Sequence, residues 1–546
     1  MKSDKHLPPE APAYGFPSAP SEAPQDCQPP GYSQHEYHRY DYSQATQNVF
    51  PQQTQPQQVY TQHPYPPPGY APPLQSFGSL PQHNYGLPEP PQPPPQSIVQ
   101  VRPSGCFNRD KTNRPQMNVL RAATLIFISG GMNIAWSIGF RRTVYSYLTT
   151  HLRIAWFIGA IIGAAISGFL PKVVPKRAIT LFCSMLVLIS GILNASTHQN
   201  MDALTAALYL NGIANGLALA PTLALAGELA VFYMRGKICA ATEQLSFNLG
   251  IFLQILISTT LSTSYYSDGS NPERINGILA AVFGFLGLCF ATLLFIESPV
   301  DLLASGQDLE ATDALRRLQR PYVVNSEVYA QLAEHKLYVA ENKELPPEQS
   351  FVQATPAFTK LCILRALNAI SISSFMFYAV LVSASTSHNY WETRWSYIPF
   401  GVCRLLGSII ACFWMDSIGR KKSTLLGLVA CGGLAFGIAS QFHHPLYNGV
   451  TIMLDIFQLF AGVAFAASSA YLAEAYPLIV KQHFISVTFI VELLVLIIIS
   501  TCDITNDFFY VIGGIYPAVF ILAMWCLPET QRTTLRESQK KFRGCF

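Results

Sequence analysis

The chain has 546 residues, of which 50% are hydrophobic and only 12% charged, a balance that excludes an ordinary soluble protein of this length. A formal net charge of +3 gives no case for nucleic acid as a partner. The 12 cysteines show no paired metal spacing, and most, such as Cys183, Cys289, Cys403 and Cys526, lie inside apolar blocks and read as small core residues rather than redox or metal groups.

Residues 1–105 are rich in Pro, Gln, Tyr and Ser and poor in aliphatic side chains. Such a segment cannot bury enough surface to fold, so a disordered cytoplasmic tail without a secretory signal is expected. It carries Pro29-Pro30-Gly31-Tyr32 and Pro67-Pro68-Gly69-Tyr70. A pre-formed polyproline helix with one Tyr anchor suits the aromatic groove of a WW domain, so a WW-domain partner at Tyr32 and Tyr70 is one reading. Chance matches in a Pro- and Tyr-rich tail are the other.

From residue 119 onward the apolar blocks run at about 119–140, 152–171, 178–198, 203–226, 238–263 and 277–296, then at about 359–384, 395–415, 423–441, 449–471, 483–502 and 508–527. Each is near the ~20 residues that cross a bilayer core. The pattern is six spans, a polar insert at 297–358, six spans and a short tail at 528–546. Cations mark alternate links: Lys172, Lys176 and Arg177; Arg235 and Lys237; Arg420 to Lys422; and the C-terminal tail. Those links are expected on the cytoplasmic side, with both termini inside. Arg141, Arg142 and Arg153 run against the rule. In the insert, Leu302, Leu303, Ala311, Leu315 and Leu318 fall on one helical stripe, as in amphipathic helices lying under a bundle.

The link Asp416-Ser417-Ile418-Gly419-Arg420-Lys421-Lys422 is too short for anything but a tight turn between two spans, and Gly419 supplies the backbone freedom. Its order of Asp, Gly, Arg and Lys resembles the signature loop of the major facilitator superfamily. Further matches resemble the sugar porter branch of that superfamily: Glu228 before Arg235-Gly236-Lys237; Glu297-Ser298-Pro299 with Leu302-Leu303 and Glu310-Ala311; Glu474-Ala475-Tyr476-Pro477; and Pro528-Glu529-Thr530-Gln531-Arg532-Thr533. They cover about 119–540 in the family's order. The resemblance implies an all-α membrane protein with 12 transmembrane helices in two six-helix bundles, 119–296 and 359–527, that moves a small polar solute by alternating access. It also implies a cytoplasmic gate in which Arg235, Arg420 and Lys421 pair with Glu228, Glu297, Glu474 and Glu529 beside Asp416 and Gly419. Ordinary end-of-helix charges are the plainer alternative. The short link after the first span argues against the organic ion transporters of the same superfamily.

The sequence also departs from the sugar porter pattern. In the first signature loop Lys172 stands where the acid belongs and Pro175 where the glycine belongs. Gln244 matches the family's sugar-contacting Gln in the fifth helix, with Asn248 one turn on. Ser373 and Ser374 replace a Gln pair in the seventh, Ser469 replaces a Trp, and Asn133 is the polar group of the first helix, where proton-coupled members carry an acid. Arg404 and Glu492 fall at mid-depth of the eighth and eleventh spans, where a charge costs at least ~2.5 kcal/mol and needs a partner or a cavity. The alternatives for Arg404 and Glu492 are a buried pair with each other, contact of one or both with an anionic or zwitterionic solute, or a coupling proton carried by Glu492. The resemblance favours a sugar or polyol carrier, ahead of a carrier of charged organic solutes and of a receptor or scaffold acting through its tail. No nucleophile–base spacing, metal cluster or phosphate loop is present, so neither an enzyme nor a cofactor is expected, and the plasma membrane is the family's usual location.

Overall fold

The computed structural model describes residues 111–141, 149–170, 174–197, 200–261, 272–387, 394–444, 449–502, 505 and 507–544. The tail with Tyr32 and Tyr70, the expected Lys172 substitution and Arg142 lie outside them. Every regular element among the described residues is helical. The first six spans are α1 (Arg121–Ile138), α2 (Thr150–Phe169), α3 (Lys176–Ser196), α4 (Met201–Leu229), α5 (Arg235–Thr260) and α6 (Pro272–Leu293). Then come three short helices, α7 (Pro299–Ala304), α8 (Asp308–Arg317) and α9 (Ser326–Glu344). The remaining spans are α10 (Pro347–Ser371) with α11 (Ser374–Ser387), α12 (Tyr397–Ile418), α13 (Arg420–Phe442), α14 (Val450–Phe465) with α15 (Ala467–Ala475), α16 (Lys481–Thr501) and α17 (Phe508–Cys526), before a last helix, α18 (Leu535–Arg543).

Eleven helices among the described residues are long and apolar enough to cross a membrane. The twelfth, α1, stands at the head of the series with 18 residues, its apolar character diluted by Arg121, Gly130, Gly131 and Asn133. Phe169, Leu293 and Trp525 keep 74–79% of their surface exposed on span helices, as side chains solvated by lipid do. With the backbone bonded within helices and apolar side chains turned outward, the chain is an integral membrane protein.

The spans pack through small residues, as helices without a hydrophobic drive between them must. A Cβ on Gly250 of α5 would lie 2.0 Å from the Ile128 carbonyl oxygen of α1, and one on Gly407 of α12 would lie 2.0 Å from that of Leu459 in α14. Two seams join the first six spans to the last six: α5 against α12, and α2 against α16. The expected turn is a single residue, Gly419, at φ 112° between α12 and α13, a conformation that favours glycine.

Two elements differ from the sequence expectation. The helix that carries the seventh span begins at Pro347, ahead of the apolar block near 359, because Pro346-Pro347 opens it. It then breaks at Ile372, where φ −123° and ψ 17° end α10 before α11 resumes. In the insert, α7, α8 and α9 close a small core of Val300, Leu303, Ala311, Tyr338 and Val339 with Leu535 of α18.

Candidate functional site

Midway along the bundle, α5 carries one π-turn, Ala241–Leu245. Such bulges open the i→i−4 ladder and re-aim side chains. This one turns Glu243 and Gln244 toward a small cavity of about 30 Å³, which Asn248, Arg365, Asn368, Arg404 and Glu492 also line. Walls from α1, α5, α10, α12 and α16 meet there.

The charges on this cavity are matched inside the protein. Arg365 of α10 grips the Glu243 carboxylate with both terminal nitrogens, one bond to Oε2 at 2.7 Å and a second, closer one to Oε1, and its Nη1 also donates to Glu492 Oε2 at 3.1 Å. Asn368 Nδ2 donates to Glu492 Oε1 at 2.7 Å. Arg404 donates to four neutral oxygens: Asn248 Oδ1 at 2.9 Å, Ser371 Oγ at 3.0 Å, Gln458 Oε1 at 2.9 Å and Asn368 Oδ1 at 3.0 Å. Asn248 Nδ2 in turn donates to Ser408 Oγ at 2.6 Å, and Gln244 Nε2 to Glu243 Oε1 at 3.3 Å. A buried guanidinium is tolerable only where its donors find acceptors: each nitrogen of Arg404 has one, whereas Nε of Arg365 has none among the described residues.

The structure thus gathers Gln244, Asn248, Arg404 and Glu492, as anticipated, but not as an Arg404–Glu492 pair. Arg365 takes Glu492 instead, because it lies between that residue and Glu243. Asn133 turns back to the Ser129 carbonyl within α1, at 3.1 Å. Ser373 bonds the Ile370 carbonyl at 2.9 Å, and Ser374 sits past the helix break on the wall of another cavity, so Asn368 and Ser371 of the preceding turns take the places expected for them. Glu243 and Arg365 were missed by the sequence reading. Both are charges inside apolar blocks, the same signal that singled out Arg404 and Glu492.

A second constellation lies at the Gly419 end of the bundle. Glu228 of α4 accepts from Lys176 Nζ at 2.7 Å, from Lys481 Nζ at 3.2 Å and from Ser298 Oγ at 2.6 Å. Glu474 of α15 accepts from Arg235 Nη1 at 3.3 Å and, more closely, from Arg420 Nη1. Asp416 accepts from the Lys237 N–H at 2.9 Å, an approach that Gly236 permits, since a Cβ there would lie 2.5 Å from Asp416 Oδ1. Glu529 caps α13 by accepting from the N–H groups of Arg420 and Lys421, each at 3.1 Å, a favourable place for an anion. The Lys421 ammonium reaches the Met524 carbonyl at 2.8 Å rather than an acid. Glu297 forms no ion pair among the described residues, and burial raises its pKa. Asp301 takes the expected role, 2.8 Å from Lys176, its own pKa raised by burial against the pull of that lysine.

The opposite end is closed by packing. Phe140, just past α1, is 1% exposed, with ring centroids 4.9 Å from Phe377, 5.5 Å from Tyr397 and 5.7 Å from Phe400. Gln254 Nε2 holds the Phe140 carbonyl at 3.0 Å. Ion pairs thus crowd one end of the bundle and aromatic rings the other.

Charged and amide side chains from both halves meet around a cavity between them, the place where carriers that work by alternating access hold a small polar solute. Residues 112–542 match the model of the sugar (and other) transporter family, and the chain belongs to that family. It is 25% identical over 333 residues to the arabinose-proton symporter of Bacillus subtilis, covering 59% of this chain and 70% of that one. It is 25% identical over 427 residues to the hexose transporter HXT13 of Saccharomyces cerevisiae, covering 71% and 72%. Its fold resembles that of the major facilitator superfamily proton:xylose symporter XylE bound to 6-bromo-6-deoxy-D-glucose, with a TM-score of 0.66 at 17% identity over 79% of this chain and 99% of that one.

Proposed function

We propose that the protein carries an uncharged sugar or polyol, held between Gln244, Asn248, Asn368 and the edges of the Arg365 and Arg404 networks. One observation carries this reading: Glu243 and Glu492 share Arg365, and Arg404, bonded to neutral oxygens, supplies the second positive charge, so the cavity's two carboxylates and two guanidinium groups sum to zero. A charged solute entering that setting would strand a buried counter-charge, whereas hydroxyl groups exchange with Asn and Gln amides at little cost. Relatives named for arabinose and hexoses support the same class. Uptake of labelled hexoses, pentoses and inositol into liposomes holding the purified chain should be saturable, and organic anions should neither enter nor compete. Entry of an organic anion in place of every sugar would overturn the assignment.

On this reading the Gly419 side faces the cytoplasm, both termini lie inside, and the ion pairs of Glu228 and Glu474 form a gate that closes the inner face while the carrier faces outward. Residues 119–296 and 359–527 are the two moving halves, 297–358 the insert, and the plasma membrane the site of action. The tail motifs at Tyr32 and Tyr70 bind WW domains. Capture of the full chain by an immobilised WW domain should be lost when both tyrosines are changed to Ala.

A second reading, proton coupling, is favoured by one feature. Two carboxylates from opposite halves share Arg365, so a proton on Glu492 would leave that arginine to Glu243 alone and tighten the bridge between the two halves. Sugar uptake driven by an inward proton gradient should then vanish in Glu492→Gln while sugar exchange persists. Gradient-driven uptake that survives the substitution would remove Glu492 from this role.

A further inference from the structure

At the Phe140 end, outside the central cavity, lies a second cavity of about 740 Å³, counting the space open to solvent. It straddles the α2–α16 seam. Arg153 of α2 forms one wall, Ser374 and Tyr378 of α11 another, and Ser500 to Cys502 of α16 the third. Arg153 makes no side-chain hydrogen bond or ion pair with any described residue, and its Nε is buried with no acceptor. The Ser500 hydroxyl on the facing wall is likewise buried without a partner. An unfilled guanidinium nitrogen and an unfilled hydroxyl lining one polar space are costly to keep, about 1–3 kcal/mol each, unless something occupies it.

A neighbouring cation sharpens the chemistry. Arg141, whose Nη1 donates to the Trp136 carbonyl at 3.3 Å and whose guanidinium lies 5.4 Å from that indole ring, has its pKa lowered to about 10. Burial is the main cause. Arg153 adds to the lowering, and Tyr378 and Glu273 oppose it. Arg141 is not on the wall of the cavity, but it and Arg153 are near enough for their charges to act on each other, at the end of the bundle where they run against the general distribution of cations. Guanidinium is planar and presents a fork that matches a carboxylate through two parallel bonds, while a serine hydroxyl serves a carboxylate oxygen from a third direction.

We propose that this cleft binds a small carboxylate, gripped by Arg153 and steadied by Ser500, at a site separate from the one that carries the solute. Because the wall from α2 belongs to one half and the walls from α11 and α16 to the other, a bound anion bridges the halves. It would favour the arrangement in which these helix ends lie as close as they do here.

The test is isothermal titration of sodium acetate into the purified full chain, with sodium phosphate and sodium chloride as competitors. Saturable acetate binding is expected, weakened by about tenfold or more in Arg153→Gln, and equally in Arg153→Lys, which keeps the charge but loses the fork. Ser500→Ala should weaken it by a smaller factor. Absence of saturable binding, or unchanged affinity in both Arg153 variants, would overturn the proposal, as would displacement of acetate by chloride at equal concentration. Should Arg153→Gln not fold, the lysine variant and Ser500→Ala decide the matter between them.

Discussion

Arg365 holds two carboxylates that come from different halves of the chain, and its removal strands both. In Arg365→Met, Glu243 and Glu492 would be left buried without a cation, a change that costs about 3–5 kcal/mol in a buried pair. Thermal unfolding in detergent should show this as a large drop in midpoint. The triple variant Glu243→Gln, Arg365→Met, Glu492→Gln should recover most of the loss, because what is costly is the unpaired charge rather than the missing bond. If the triple variant is no more stable than the single one, the network contributes by packing alone. This network was half legible in the sequence. Arg404 and Glu492 stand out because they also break the family pattern, whereas Glu243 and Arg365 stand out only as charges in an apolar span that need a partner. The rule alone would have found all four. It would not have shown which acid meets which base, since that depends on the π-turn in α5, and no local pattern in Ala241–Leu245 announces it.

Among the elements, the insert shows how a soluble piece docks on a membrane bundle. Asn325 and Ser298 cap α9 and α7 through their side chains, and the expected stripe supplies the buried Leu303, Ala311 and Leu315. The placing of α9 rests on a buried residue that the pattern did not flag. His335 is 4% exposed, its Nδ1 has no partner, and burial, reinforced by Arg235 and Lys481 and opposed by Glu228, lowers its pKa to about 4. The sign follows directly. With the folded value below the ordinary 6.5, the unfolded insert takes up a proton first as pH falls. Docking is therefore fully stable above about pH 6.5 and weakens progressively down to about pH 4, by a few kcal/mol in all. Hydrogen exchange along residues 326–344 should accelerate over that interval, and His335→Gln should flatten the dependence. An exchange rate indifferent to pH after correction for intrinsic chemistry would mean that His335 is not desolvated. Hydrophobic periodicity reveals the apolar stripe of α7 and α8. It is blind to a neutral imidazole wedged under a charged gate.

For the whole molecule, span count and order were readable because the bilayer demands blocks of fixed length, and the signature motifs kept their order. What escaped the sequence was the state of the carrier, since both seams are long-range contacts set by packing. In the proposed inner gate, Glu474 alone answers Arg235 from one half and Arg420 from the other, and all three side chains are at most 4% exposed. Neutralising it should penalise only the closed inner face, because those bonds open when the halves rock apart. A differential loss of about 3 kcal/mol corresponds to more than a hundredfold in the balance of states, enough to invert an equilibrium set by a few kcal/mol. Cys239 is a native reporter, buried at 0% exposure close enough to Glu474, Arg235 and Arg420 for their charges to act on it. In inside-out vesicles Glu474→Gln should make Cys239 react rapidly with a membrane-impermeant maleimide, whereas the parent chain reacts slowly and Cys239→Ser removes the new labelling. Equal labelling rates in the parent and in Glu474→Gln would mean that these pairs brace the bundle without gating it, and the ring of Phe140 contacts would then be left as the only closure that responds to solute.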